Sequence, residues 1–287
     1  MFPSLLVLMN LTEPAEQTAR YAGLLGAPLH ARLVLLHLYH NPVLDPELIT
    51  VTTAQAYRSQ AETSVALHEL ATRLTIPASV EVSAWAASEA IDEAVQRHQP
   101  LLLAMGLSPE QEVLDHLLHN QALPMLRATH RPLLLVPASA TAWRQPRRVA
   151  LAVDAEEFTP NAATRALTPL LAAWGASFTV VHVAAAAKCE AFVGQRALGA
   201  VRQSALLPPD TAPVLYESKL MPAAAGILQA LDDLQADLLV LIARPRSFLG
   251  RLFHHSVVAQ VLRHTQRPVL LLPVEAPPQP GWLPPMG

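Results

Sequence analysis

The sequence predicts two tandem doubly wound α/β domains, each with a mainly parallel five-stranded sheet covered by helices on both faces. Three observations predict it. The chain has 287 residues, more than one ordinary domain core needs, and 52% of them are hydrophobic against 15% charged. Apolar runs of strand length alternate with amphipathic segments of helix length throughout. The pattern is also written twice. "HNQALPMLRATHRPLLLVP" from His119 aligns without a gap with "HSVVAQVLRHTQRPVLLLP" from His255, an offset of 255 − 119 = 136 residues. So long an offset means two copies of one domain; a solenoid repeats every 20–50 residues or so.

In the first half, "SLLVLMN" predicts a strand at Ser4–Asn10, followed by a helix near Glu13–Leu25. Further strands are predicted at Leu33–Tyr39, Ser79–Ala84, Leu101–Met105 and Leu133–Val136. In the second half, "RVALAVD" opens a strand at Arg148–Val153, with a helix expected over Asn161–Trp174. Its other strands are predicted at Ser177–Val183, Val214–Glu217, Leu238–Ile242 and Val269–Leu272. Runs such as "LVLLH" and "LLVLI" are apolar at nearly every position, which suits strands buried on both faces of a parallel sheet. The domains are placed at residues 1–137 and 147–274, joined by "ASATAWRQPR", with a proline-rich tail at 275–287.

Composition excludes several classes. A net charge of −3 and a pI near 6.4 give no reason to expect nucleic acid or acidic membranes as partners. The uncharged stretch Ala166–Ala187 imitates a membrane span. Pro169, Gly175, Ser177 and His182 interrupt it, and it parses as a helix end followed by a buried strand. The single cysteine, Cys189, excludes an intramolecular disulfide and fits a reducing compartment. With no signal peptide in "MFPSLLVLMNLTEP", the expected location is the cytoplasm.

The "VALAVD" opening strand, the "VVHV" second strand and the closing "HSVVAQVLRHTQRPVLLLP" resemble the universal stress protein family, in its tandem two-domain form, over Met1 to Pro273. The resemblance implies strand order 3-2-1-4-5 in each half, and an internal pseudo-dimer formed through the last strands. It also implies a nucleotide site at the carboxyl ends of the strands in those members that bind ATP. Their signature is a glycine, two residues, a second glycine, nine residues, then Gly-Ser or Gly-Thr. An aspartate at the end of the first strand faces the adenine-ribose side.

Carried onto this chain, the signature is broken in both halves. In the second half the three glycine positions are Ile242, Pro245 and His255, while Asp154 and Ser256 remain in register. In the first half Gly106 survives, but Pro109 and His119 replace the other glycines, Asn120 replaces the serine, and Asn10 replaces the aspartate. Glycine permits positive φ and close approach of backbone N–H groups to an anion. Proline removes an N–H and fixes φ. Pro245 and His255 are therefore expected to close the second site to ATP. The basic cluster Arg244, Arg246, Arg251, His254 and His255 leaves two alternatives: a binder of a phosphate-bearing ligand or acidic partner, or a solvated loop.

Other constellations are weaker. His116 and His119 could share a helix face, but no third metal ligand is evident, so no metal is expected. His37 and His182 end equivalent strands and are expected to cap or pack, and Asp232 and Asp233 sit on a polar helix face. There is no Ser-His-Asp order, Cys-His pair or Gly-x-Gly-x-x-Gly. The expected function is a non-catalytic stress-response regulatory or interaction protein with no cofactor. The alternative is an adenine-nucleotide binder or slow ATPase, with ATP as its ligand, using the second domain. Candidate ligand-binding residues are Asp154, Arg244, Arg246, His255, Ser256, Asn10 and Gly106, with a small ligand at the strand carboxyl ends. A protein partner and further dimerisation are left open.

Overall fold

A computed structural model describes residues 2–10, 12–38, 53–107, 122–140, 144–184, 192–219, 221–244 and 257–275. The first half contains β1 (Ser4–Met9), α1 (Glu13–Gly26), β2 (Arg32–Leu38), α2 (Thr53–Arg73), β3 (Ala78–Ser83), α3 (Ala87–His98), β4 (Leu102–Leu107), α4 (Leu123–Thr129) and β5 (Leu133–Pro137). The second half contains β6 (Arg148–Ala152), α5 (Ala162–Arg165), α6 (Thr168–Ala173), β7 (Ser177–Ala184), α7 (Val193–Gln203), β8 (Val214–Lys219), α8 (Ala223–Asp233), β9 (Leu238–Ala243), α9 (Val257–His264) and β10 (Val269–Pro273).

The ten strands among the described residues form one sheet, in the order β3-β2-β1-β4-β5-β10-β9-β6-β7-β8. Each half has the expected order 3-2-1-4-5, and every pairing is parallel except the junction, where β10 runs antiparallel to β5. There Leu133, Leu134 and Leu135 face Leu271, Leu270 and Val269. Since 270 − 134 is again 136, Leu134 meets its own repeat equivalent and the pseudo-two-fold axis passes between them. This is the self-complementary contact of a two-fold dimer, made within one chain.

Alternation along the strands sends side chains into two cores, one per face. Leu5 and Val7 belong to the core that includes residues of α1, α2, α6 and α7, whereas Leu6 and Leu8 belong to the one that includes residues of α3, α4, α8 and α9. Both cores contain residues of both halves, so the halves are fused through their interiors as well as through hydrogen bonds. Across the junction the buried Trp174 donates its indole N–H to the carbonyl of Leu25 at 3.1 Å.

The linker is tied down by Asp237, which immediately precedes β9. One carboxylate oxygen accepts from the Nε and Nη2 of Arg144 at 3.1 and 2.6 Å. The other accepts from the backbone N–H groups of Arg147 and Arg148 at 3.0 and 2.9 Å. Burial pushes this carboxyl up, but the Arg144 guanidinium and the two amides outweigh burial and hold it below its ordinary value. Burial also pushes the Tyr21 phenol on α1 well up, and the Asp237 carboxylate adds to that shift from across the junction.

Two expectations need adjusting. The helix expected over Asn161–Trp174 is two short helices. Asn161 caps α5 by accepting from Thr164 N–H at 2.8 Å, and Pro169 sits in the first turn of α6, where a missing N–H costs nothing. Second, β4 and β9 extend beyond the expected Met105 and Ile242, because Gly106 and Leu107 pair with Val136 and Pro137, and Ile242 and Ala243 with Leu272 and Pro273. The membrane-like stretch resolves as expected, with its described residues forming the helix α6 and the buried strand β7. No helix among the described residues is long and apolar enough to cross a membrane.

Candidate functional site

Open α/β sheets bind ligands in the crevice beyond the strand carboxyl ends, where the strand order reverses. Here the two switch points lie between β1 and β4, and between β6 and β9. Among the candidate residues, Asn10 and Gly106 flank the first crevice, and Asp154 and Arg244 the second. Arg246, His255 and Ser256, with Pro109, His116, His119, Asn120, Cys189 and Pro245, lie outside the described residues.

In the second crevice Asp154 leaves the end of β6 and Arg244 leaves the end of β9, and they meet. Arg244 Nε donates to Asp154 Oδ2 at 3.0 Å, and Nη2 to Oδ1 at 2.6 Å. The same guanidinium donates to the backbone carbonyls of Glu157 at 3.0 Å and Glu156 at 2.8 Å. Its side chain is 12% exposed although Asp154 is 50% exposed, so the cation lies inward and the carboxylate outward. A planar fork on two carboxylate oxygens is the strong form of this contact. Asp154 therefore has little accepting capacity left for a ribose, and the guanidinium is committed to protein oxygens.

Loop length makes this possible. Only three positions separate Asn10 from the first residue of α1, whereas eight separate Asp154 from α5 (13 − 10 against 162 − 154). The longer connection runs across the end of β9 and reaches β10. Pro160 forms a bridge with Val274, and Glu275 N–H donates to Thr159 carbonyl at 2.8 Å. On its way it turns the Glu156 and Glu157 carbonyls toward Arg244.

The residues at the first crevice make different contacts. A Cβ on Gly106 would stand 2.8 Å from the Pro14 carbonyl oxygen and 3.0 Å from Thr18 Oγ1. The first turn of α1 thus rests directly on β4, and glycine is needed there for close helix-strand approach. The Thr18 hydroxyl donates to that Pro14 carbonyl at 2.7 Å. Asn10 Oδ1 accepts from the Thr12 hydroxyl at 2.6 Å. Clefts of about 520 and 710 Å³ occur elsewhere, and their walls contain none of Asn10, Gly106, Asp154 or Arg244.

His37 and His182 are a matched pair. His37 Nδ1 bonds the Met9 carbonyl at 2.8 Å, and His182 Nδ1 the Val153 carbonyl at 3.1 Å. A carbonyl can only accept, so Nδ1 carries the proton and each ring caps the end of its central strand. Asp233 accepts from the Tyr216 hydroxyl at 2.6 Å. Among the described residues no group of three or more His, Cys, Asp or Glu side chains could hold a metal.

Sequence reasoning placed Asp154 and Arg244 at the same edge but missed their pairing and the carbonyls of Glu156 and Glu157. The signal was present as the longer connection after β6.

Residues 146–273 match the universal stress protein family. No curated protein matches the chain. Among solved structures, a universal stress protein from Archaeoglobus fulgidus aligns with TM-score 0.67 and 17% identity, over 94% of this chain and 96% of that one. A functionally unknown protein from Pseudomonas aeruginosa PAO1 aligns at 0.56 and 16% identity, covering 95% and 93%. A putative universal stress protein from Pseudomonas aeruginosa UCBPP-PA14 aligns at 0.53 and 17% identity, covering 95% and 94%.

Proposed function

We propose that the chain is a tandem universal stress protein that works without turnover, because residues 146–273 match that family and the first half repeats the same fold. It acts as a regulatory or interaction protein in the cytoplasm and holds no nucleotide in either crevice. One observation supports this: at each switch point the candidate residues are engaged by the protein's own atoms. The Arg244 guanidinium is paired with Asp154 at the second, and the first turn of α1 rests on Gly106 at the first. A nucleotide bound through both oxygens of Asp154 would compete with the fork to Arg244, and charge-assisted bonds are worth roughly 1.5–3 kcal/mol each.

Mass spectrometry of the purified protein after denaturation tests the proposal. The expected result is no stoichiometric adenine nucleotide. ATP, ADP or AMP released at one per chain would overturn it.

A further inference from the structure

The contacts of Arg244 define a chemistry opposite to that of a phosphate site. Among the described residues its four bonds go to two oxygens of one carboxylate and two backbone carbonyls. Glu156 adds a second carboxylate, with Oε2 at 3.9 Å from Nη1. The acceptors are held by bonds that do not involve the arginine. Glu156 N–H donates to Asp154 Oδ1 at 3.2 Å, which turns the chain just after β6. The far end of the connection is tied to β10 by the Pro160–Val274 bridge, and the buried Thr164 hydroxyl donates to the Pro273 carbonyl at 2.7 Å. Such an array is preorganised for a flat, many-donor cation and is repulsive to an anion.

We propose that the second crevice is a guanidinium receptor whose occupant is the chain's own Arg244. Occupied in cis, it is shut to external ligands; emptied, it takes a guanidinium or amidinium cation and still refuses phosphate. This rests on the geometry around Arg244 and not on the family reading. Co-purified nucleotide in the first crevice would leave it standing, and failure of the test below would leave the interaction role standing.

The test is chemical complementation. Arg244→Ala removes the two methylenes and the guanidinium, so ethylguanidinium is the missing piece. In calorimetry at millimolar concentration, the variant should bind one ethylguanidinium per chain, at least roughly tenfold more tightly than ethylammonium. Its melting temperature should rise saturably toward the wild-type value. Wild type should show no saturable response, and adding Asp154→Asn to the variant should abolish binding. ATP should bind neither protein. Absence of saturable binding, equal binding by wild type, or ATP binding by Arg244→Ala that wild type lacks would each overturn the proposal.

If Arg244→Ala does not fold, the wild-type protein supplies the readout. Arginine-resolved nitrogen NMR should show the Arg244 Nε–H protected from solvent exchange, with the protection lost in Asp154→Asn. An Nε–H that exchanges as fast as those of solvated arginines would refute the buried fork.

Discussion

Replacing Asp237 by alanine should destabilise the protein by about 3 kcal/mol, and the structure supplies the parts of that figure. The Asp237 side chain is 6% exposed, and its partner Arg144 is 52% exposed. Arg144 can turn to water when the carboxylate is lost, so its share is at most about 1 kcal/mol. The N–H groups of Arg147 and Arg148 are fixed at the entry to β6 and lose an ionised acceptor, at about 1 kcal/mol or somewhat more each. For a chain of this size such a loss lowers the melting temperature by roughly 6–12 °C. The pH dependence is more diagnostic. Because the folded carboxyl is held below its ordinary value, its contribution is complete above the unfolded pKa and is lost as pH falls through the folded one. Differential scanning calorimetry of wild type and Asp237→Asn should show a constant gap from neutral pH to about pH 5, closing below about pH 4. A gap that persists undiminished to the acid limit would refute ionic anchoring of the linker.

Gly106→Ala should cost roughly 1–3 kcal/mol, read by denaturant unfolding, because the new methyl meets the Pro14 carbonyl; an unchanged midpoint would show that α1 does not rest on β4. Leu270→Asp would bury an unpaired carboxylate on the pseudo-two-fold axis opposite Leu134 and should aggregate on size exclusion. The control Val214→Asp, at a position 66% exposed on the outer edge, should elute as wild type.

How much was legible in the sequence follows from the range of each interaction. Strand positions and the junction were readable because burial on both faces writes itself into consecutive residues, and because the repeat marks Leu134 and Leu270 as equivalents. The break between α5 and α6 was signalled by Pro169 but masked by the long apolar run around it. Gly106 stood out as a surviving motif glycine. Its contact with α1 depends on how closely a helix settles on a strand, which no local pattern records. The Arg244–Asp154 fork joins residues 90 apart through a loop whose path is set by its attachment to β10. Composition could show only that a basic and an acidic residue lay near one sheet edge.

The central claim is that protein atoms, and not a nucleotide, occupy both switch-point crevices. Calorimetric titration of ATP into the full-length wild-type protein tests it most directly. The account predicts no saturable heat up to millimolar ligand. A saturable isotherm with one or two sites per chain and a dissociation constant in the micromolar range, about −8 kcal/mol of binding free energy, would contradict it.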